Sequence, residues 1–310
     1  MNEAQISQDH LTQLAEIERQ CLMKTTDHLK TESYSQHLYL LLRYTYVKTD
    51  GLFNEYLNSK ISFSRPLVNV EINLDSLFDK SSANLITNQI ISNGGYYSIR
   101  PSAEIDYSEL CNALDSSKPS SKNSRRRFIN DHSKLLGFSS VSQIVFDPSI
   151  RFIADQYLNC SSILNSVCAW KTTSLQGDEN LDSDAMLWHF DSDHNRFLKV
   201  FIYLDDVEAI DGPHMYIPNT ARLNRSNMPI ELKQDARITN LQVANHGLLP
   251  QYVLGSAGTF IFADTHNLHR GTPVHPGRSR YLLQLQFVDS IFGADTQFNE
   301  EKYIQLNPNL

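Results

Sequence analysis

The sequence predicts an α+β protein in which a β sandwich or jelly-roll barrel fills the second half of the chain and helices pack on one side of it. Three observations lead there. Residues 1–60 repeat apolar side chains at helical spacing, and from about residue 162 the chain breaks into short β-branched and aromatic runs divided by turn residues. With 310 residues, 41% hydrophobic, the chain is long enough for one large barrel domain with helical additions.

The single domain, 1–310, divides as follows. Over residues 1–60, Leu11, Leu14, Ile17 and Cys21 recur every three or four residues, Leu22 widens that face, and His37–Tyr46 is a dense apolar patch suited to covering another layer. Residues 61–160 mix elements. Leu67–Leu74 alternates Val68, Val70, Ile72 and Leu74, which predicts a strand, and Gly94-Gly95-Tyr96-Tyr97 predicts a turn entering a short strand that ends near Pro101. Residues 101–140 are polar, loosest over Ser116–Ser124, and read as a lid-like surface loop. Val141–Leu158 reads as helix, broken or started at Asp147-Pro148. Residues 161–288 form the core barrel, with strands expected at Ile163–Trp170, Met186–Phe190, Phe197–Leu204, His214–Ile217, Gly258–Phe262 and Arg280–Val288, and residues 289–310 are a C-terminal tail.

Charge and cysteine content narrow the function. The 27 Lys and Arg against 35 Asp and Glu give a formal charge of -8, which argues against a protein built to neutralise nucleic-acid phosphates. The one basic run, Lys122–Arg127, reads as a solvated loop with some capacity to help hold an anionic substrate. Four scattered cysteines with no CxxC pair suggest reduced thiols. The polar start MNEAQISQDH does not read as a signal peptide, and no apolar run approaches the roughly 20 residues of a membrane span. A cytoplasmic protein acting on a small molecule, with neither nucleic acid nor membrane as partner, is expected.

One stretch does not suit a plain core. LWHFDSDHNRFLKVFIYL, Leu187–Leu204, places His189 and Asp191 two apart at the head of a strand-like run, so both project to one face while Trp188 and Phe190 project to the other. An inward carboxylate is costly unless it is paired, and a cation would resolve that cost. A third ligand must come from elsewhere, and the segment Gly258–Phe287 offers His266, His269 and His275. Two histidines and one carboxylate leave metal positions open, the arrangement of non-haem Fe(II) oxygenases. A structural zinc site would be closed by four ligands that usually include cysteine, and no cysteine lies near either segment. Iron is favoured, with manganese and zinc left open.

The chain resembles the phytanoyl-CoA dioxygenase-like branch of the Fe(II)/2-oxoglutarate oxygenases. The ordered elements are His189-Phe190-Asp191, the strand Phe197–Leu204, Gly212-Pro213 ahead of Tyr216-Ile217-Pro218, and Gly258, followed eleven residues later by His269 and eleven further by Arg280. The likeness covers roughly Ser162–Phe287. It implies a double-stranded β-helix, with His189, Asp191 and His269 as Fe(II) ligands and catalytic centre, and with Arg280 anchoring 2-oxoglutarate, the co-substrate used with O2. A guanidinium fork matches a carboxylate with two charge-assisted bonds. In the expected strand, Arg280, Leu282, Gln284 and Gln286 share one face and Tyr281, Leu283, Leu285 and Phe287 the other. Arg278 is the second choice as anchor.

The family's hydroxyl residue two positions after the distal histidine is Gly271 here, so Thr272 is the substitute contact to the co-substrate. The resemblance also sets Lys199 and Phe201 beside it, the plainer reading of Lys199 being an edge charge. His266 and His275 read as loop residues, His214 as structural, and Trp170 and Trp188 as core. The activity implied is oxidation of a small organic molecule, by hydroxylation, desaturation or ring chemistry, in specialised metabolism, with succinate and CO2 as products. Asp191 argues against halogenation, which would need its place for chloride. Two alternatives stand beside it: a non-redox cupin-type isomerase using the same metal face, and a ligand-binding sensor barrel.

Overall fold

A computed structural model describes residues 66–120, 123–174, 186–191, 194, 196–221, 238–289 and 305–308. The chain divides into two compact units, and Phe63–Asp191, Arg196–Ile291 and Asn299–Leu310 make up the one described below. The helices expected over 1–60, and most of the tail at 289–310, lie outside the described residues.

In chain order the elements are α1 (Lys80–Ser92), β1 (Tyr96–Ile99), α2 (Ser108–Ser116), β2 (Pro119–Ser120), β3 (Asn123–Ile129), α3 (His132–Leu136), α4 (Ser139–Val145), α5 (Pro148–Leu158), β4 (Ile163–Thr173), β5 (Phe197–Tyr203), β6 (His214–Tyr216), α6 (Asn240–Asn245), β7 (Gln251–Val253), β8 (Phe260–Ala263), β9 (His269–Gly271) and β10 (Ser279–Val288). Seven strands form one antiparallel sheet in the order β1-β8-β5-β10-β4-β3-β2, and three form a second, β7-β6-β9. Trp188 and His189 extend the small sheet by bridging Ile238 and His269. From β4 onward the chain passes repeatedly between the two sheets, which makes the fold a double-stranded β-helix, the jelly roll that the family likeness implies.

Alternation along the strands sorts the two faces of the large sheet. Leu198, Val200, Ile202, Phe260, Phe262, Leu283 and Leu285 are all buried on the outer face, in one cluster with Ile86 and Ile90 of α1, Leu110 and Leu114 of α2, and Ile150 and Ile153 of α5. Phe201, Tyr203, Trp170, Ile261 and Leu282 line the inner face and meet Val253 and Tyr216 of the small sheet. Tyr96 and Tyr216 stack across the gap with ring centres 3.9 Å apart. No helix among the described residues is long and apolar enough to cross a membrane, and Cys111, Cys160 and Cys168 are free thiols.

Two segments differ from expectation. Leu67–Leu74 joins no ladder among the described residues; Val70 and Ile72 pack on the outer cluster while Val68 and Leu74 are exposed. Alternation reports a half-buried extended chain, and only a neighbouring strand makes it a sheet member. Residues 101–140 are no loop: they contain α2, β2, β3 and α3. Their polarity misleads because long cationic side chains can bury their stems while keeping their heads in polar surroundings. Lys122–Arg127, read as a solvated loop, falls largely within β3, which pairs with β4 in the interior of the large sheet. The break expected at Asp147-Pro148 is present and divides the stretch read as helix into α4 and α5: Asp147 caps α5 by accepting from Ser149 N at 2.8 Å and Ile150 N at 3.2 Å, a bond set worth about 1 kcal/mol.

Candidate metal centre

The centre is made by a narrow antiparallel bridge. His189 N donates to His269 O at 3.1 Å and His269 N donates to His189 O at 3.0 Å, so residues 80 positions apart become a directly opposed pair. Opposed side chains share a face, and the two imidazole centres lie 4.3 Å apart. The expected strand Met186–Phe190 is reduced to this two-residue bridge. Asp191 is pinned two residues on, where its N–H donates to Thr265 O at 2.9 Å.

Both imidazoles are oriented in the same way. His189 Nδ1 donates to Leu187 O and His269 Nδ1 to Asn267 O, each at 2.9 Å. A carbonyl only accepts, so each Nδ1 carries a proton, and the ring in its neutral form then presents the Nε2 lone pair to the site. Those Nε2 atoms face the Asp191 carboxylate, at 3.7 Å from Oδ1 for His189 and 3.3 Å from Oδ2 for His269. A cation held among them would satisfy both lone pairs and the carboxylate at once. Candidate donor atoms of His189, Asp191 and His269 all lie within 4.8 Å of one another. Two imidazoles and a carboxylate, without cysteine, fit a metal that keeps open positions, and the backbone carbonyls behind each ring are the outer partners that metal-bound histidines usually have.

Lys199 Nζ lies 2.5 Å from Asp191 Oδ2. Burial works against a charge on Asp191, but the Lys199 ammonium outweighs it and holds the carboxyl well below the usual carboxylate range. The residue is therefore ionised, as a metal ligand must be. Lys199 is no edge charge: β5 is interior and all seven of its residues are buried.

The trio opens into a cavity of about 180 Å³, also lined by Arg126, Trp170, Lys199, Phe201, Thr272 and Arg280. That is room for a ligand, since one water needs only about 10–15 Å³. Arg280 is buried, and Gly271 leaves it space: a Cβ there would come 3.0 Å from Nη2. Gly271, at the position where the family carries a hydroxyl, thus serves the guanidinium. Thr272 lines the cavity, and its hydroxyl donates to Pro213 O at 2.9 Å. Arg278, the second choice as anchor, is tied to Asp211 through Nε–Oδ1 at 2.5 Å and Nη2–Oδ2 at 3.1 Å, away from the cavity lining. His266 bonds Asp264 through Nδ1 at 2.7 Å and His275 is exposed, so neither belongs to the trio.

Several lining residues were not expected there. His214 stacks 5.7 Å from His269 and lines the cavity, although it reads as structural from sequence. Burial, then the nearby His269, Arg280 and His189, hold its pKa well below the usual histidine value, so the ring is neutral. Trp170, read as core, also lines the cavity, with the Arg126 guanidinium 4.5 Å from its ring centre. Thr172 stands opposite Arg280 on β10 and opposite Arg126 on β3. The inward parity of β4 was the available signal for Trp170 and Thr172; nothing local marked His214.

No family model and no curated protein matches the chain. Solved structures do match. The non-heme alpha ketoglutarate dependent epimerase SnoN from nogalamycin biosynthesis is 13% identical, over 68% of this chain and 84% of that one, with a TM-score of 0.49. HygX from Streptomyces hygroscopicus, solved with nickel, 2-oxoglutarate and hygromycin B, is 13% identical over 70% and 90%, with a TM-score of 0.49. EctD from S. alaskensis, solved with 2-oxoglutarate and 5-hydroxyectoine, is 16% identical over 74% and 83%, with a TM-score of 0.47. Identities this low leave the chemistry to be argued from the side chains themselves.

Proposed function

We propose that the chain is a non-haem Fe(II)- and 2-oxoglutarate-dependent oxygenase, of the phytanoyl-CoA dioxygenase-like kind, that oxidises a small organic molecule. The observation that carries this reading is the convergence of two Nε2 atoms and one carboxylate in a cavity that also holds a buried guanidinium. His189, Asp191 and His269 would hold the iron. Arg280 would take the distal carboxylate of 2-oxoglutarate, its fork supplying two parallel charge-assisted donors. When bound, the iron and 2-oxoglutarate supply, with O2, a two-electron oxidation of the substrate that ends in succinate and CO2.

The chain's own part is orientation and electrostatics. The carbonyls of Leu187 and Asn267 fix both imidazole tautomers, Lys199 keeps Asp191 ionised, and Gly271 keeps the Arg280 fork in place. With Asp191 holding the carboxylate position, hydroxylation or a related C–H oxidation is favoured over halogenation. Thr272 and Phe201 line the same cavity and would contact the co-substrate, Phe201 as an apolar wall. Anaerobic addition of Fe(II) and 2-oxoglutarate should give a weak visible charge-transfer band, and exposure to air with the true substrate should give succinate. A protein that shows neither would be read instead as a metal-binding isomerase or a sensor barrel.

A further inference from the structure

His214 has no part in the reading above, although its imidazole borders the cavity beside the trio. Strand order fixes its place. On β6 it is directly opposite Gly271 of β9, and opposed residues share a face. Gly271 contributes no side chain there, and the Arg280 guanidinium lies against it, with Nη2 3.0 Å from where a Cβ would stand. The imidazole and the guanidinium therefore border the same gap over Gly271.

Two tyrosines of the large sheet hold His214. The Tyr203 hydroxyl accepts from His214 N at 3.0 Å and donates to Val253 O at 2.7 Å, which inserts it between β6 and β7. Tyr96, buried and stacked on Tyr216, has its hydroxyl 3.3 Å from His214 Nε2, its one hydrogen-bond partner among the described residues. A buried O–H proton left without an acceptor is costly, so Tyr96 donates to the Nε2 lone pair and the ring proton resides on Nδ1. Nδ1 itself has no partner among the described residues, which leaves a donor of fixed orientation at the cavity wall. We propose that His214, oriented by Tyr96, donates this Nδ1–H to the 2-oxoglutarate carboxylate that Arg280 anchors. A carboxylate offers about four lone-pair sites and a guanidinium fork fills two of them, so a further donor has a place. The inference rests on the oxygenase reading for the presence of that carboxylate.

Calorimetric titration of Zn(II)-loaded protein with 2-oxoglutarate is the test, with Co(II) affinity measured beside it. His214→Leu keeps an apolar body and loses the donor. It should weaken 2-oxoglutarate binding at least about tenfold and leave metal affinity within about twofold. His214→Asn, whose amide can donate from near the Nδ1 position, should fall between leucine and wild type; a ring that merely packed would rank the two variants the other way. Tyr96→Phe should cost severalfold, and nothing more when combined with His214→Leu, since both act through one bond. Affinity within about twofold of wild type in His214→Leu overturns the proposal. So does an asparagine variant no better than leucine, or a parallel loss of Co(II) affinity, which would place the effect on His269. Should the variants at 214 not fold, unchanged affinity in Tyr96→Phe overturns it instead. Failure of the oxygenase reading looks different: the wild type then binds no 2-oxoglutarate, or Arg280→Gln changes nothing, and the proposal falls with it. A loss in Arg280→Gln without one in His214→Leu removes the His214 assignment alone.

Discussion

Lys199 Nζ and Asp191 Oδ2 lie 2.5 Å apart, so the carboxylate of the candidate metal trio is already paired to a buried ammonium. Breaking a buried pair by removing one partner costs about 3–5 kcal/mol, and the 19% exposure of the Asp191 side chain sets this one at or below the low end. Lys199→Met should therefore melt several degrees lower without metal. Co(II) should raise its melting temperature more than it raises that of the wild type, because the ion then replaces the positive charge lost beside Asp191. Equal melting temperatures of the two metal-free proteins would show that the pair contributes nothing.

Each ligand should matter more than its support. His189→Ala, Asp191→Ala and His269→Ala should each weaken Co(II) binding by more than the roughly 10- to 100-fold expected for loss of an outer partner. His266→Ala should leave that affinity near wild type, because its ring bonds Asp264 and not the trio. Titration by visible absorption of the bound ion measures all four. An unaltered affinity in His269→Ala would dissolve the trio.

The contact between Gly271 and Arg280 is a matter of tenths of an ångström. Gly271→Ala places a methyl 3.0 Å from Nη2 and 3.5 Å from Nη1, so the guanidinium must shift. Its KM for 2-oxoglutarate should rise severalfold with metal affinity intact. Arg280→Gln should lose more, since a charge-assisted bond is worth about 1.5–3 kcal/mol, or roughly 10- to 150-fold. Steady-state kinetics varied in 2-oxoglutarate decide it; unchanged values in both variants would place the anchor elsewhere.

Arg278 and Arg280 have the same parity and different work. The Arg278 fork, against the opposing effect of burial, holds the Asp211 carboxyl below its ordinary value. A carboxyl depressed in the folded state stabilises it above about pH 3.9, and that gain disappears as pH falls through the folded value. Arg278→Gln should therefore shift acid unfolding to higher pH, with little change at neutral pH because the arginine is 44% exposed. Its 2-oxoglutarate affinity should match wild type. Circular dichroism against pH, with titration calorimetry beside it, checks both halves.

The sequence by itself determined the parts of the site that depend on local parity and spacing. The separation of His189 from Asp191 by two set them on one face, the eleven-residue register chose His269 over His266 and His275, and alternation along β10 sorted Arg280 from Tyr281. Only the tertiary structure decided which strands would be neighbours. Strand pairing is non-local, so nothing near residue 126 announced that a basic run would lie beside β4, two strands from Arg280, and nothing near His214 placed its ring against His269. A period of two assigns a residue to a face, whereas the order of strands assigns the company it keeps there, and that order is fixed by hydrogen bonds between segments far apart in the chain.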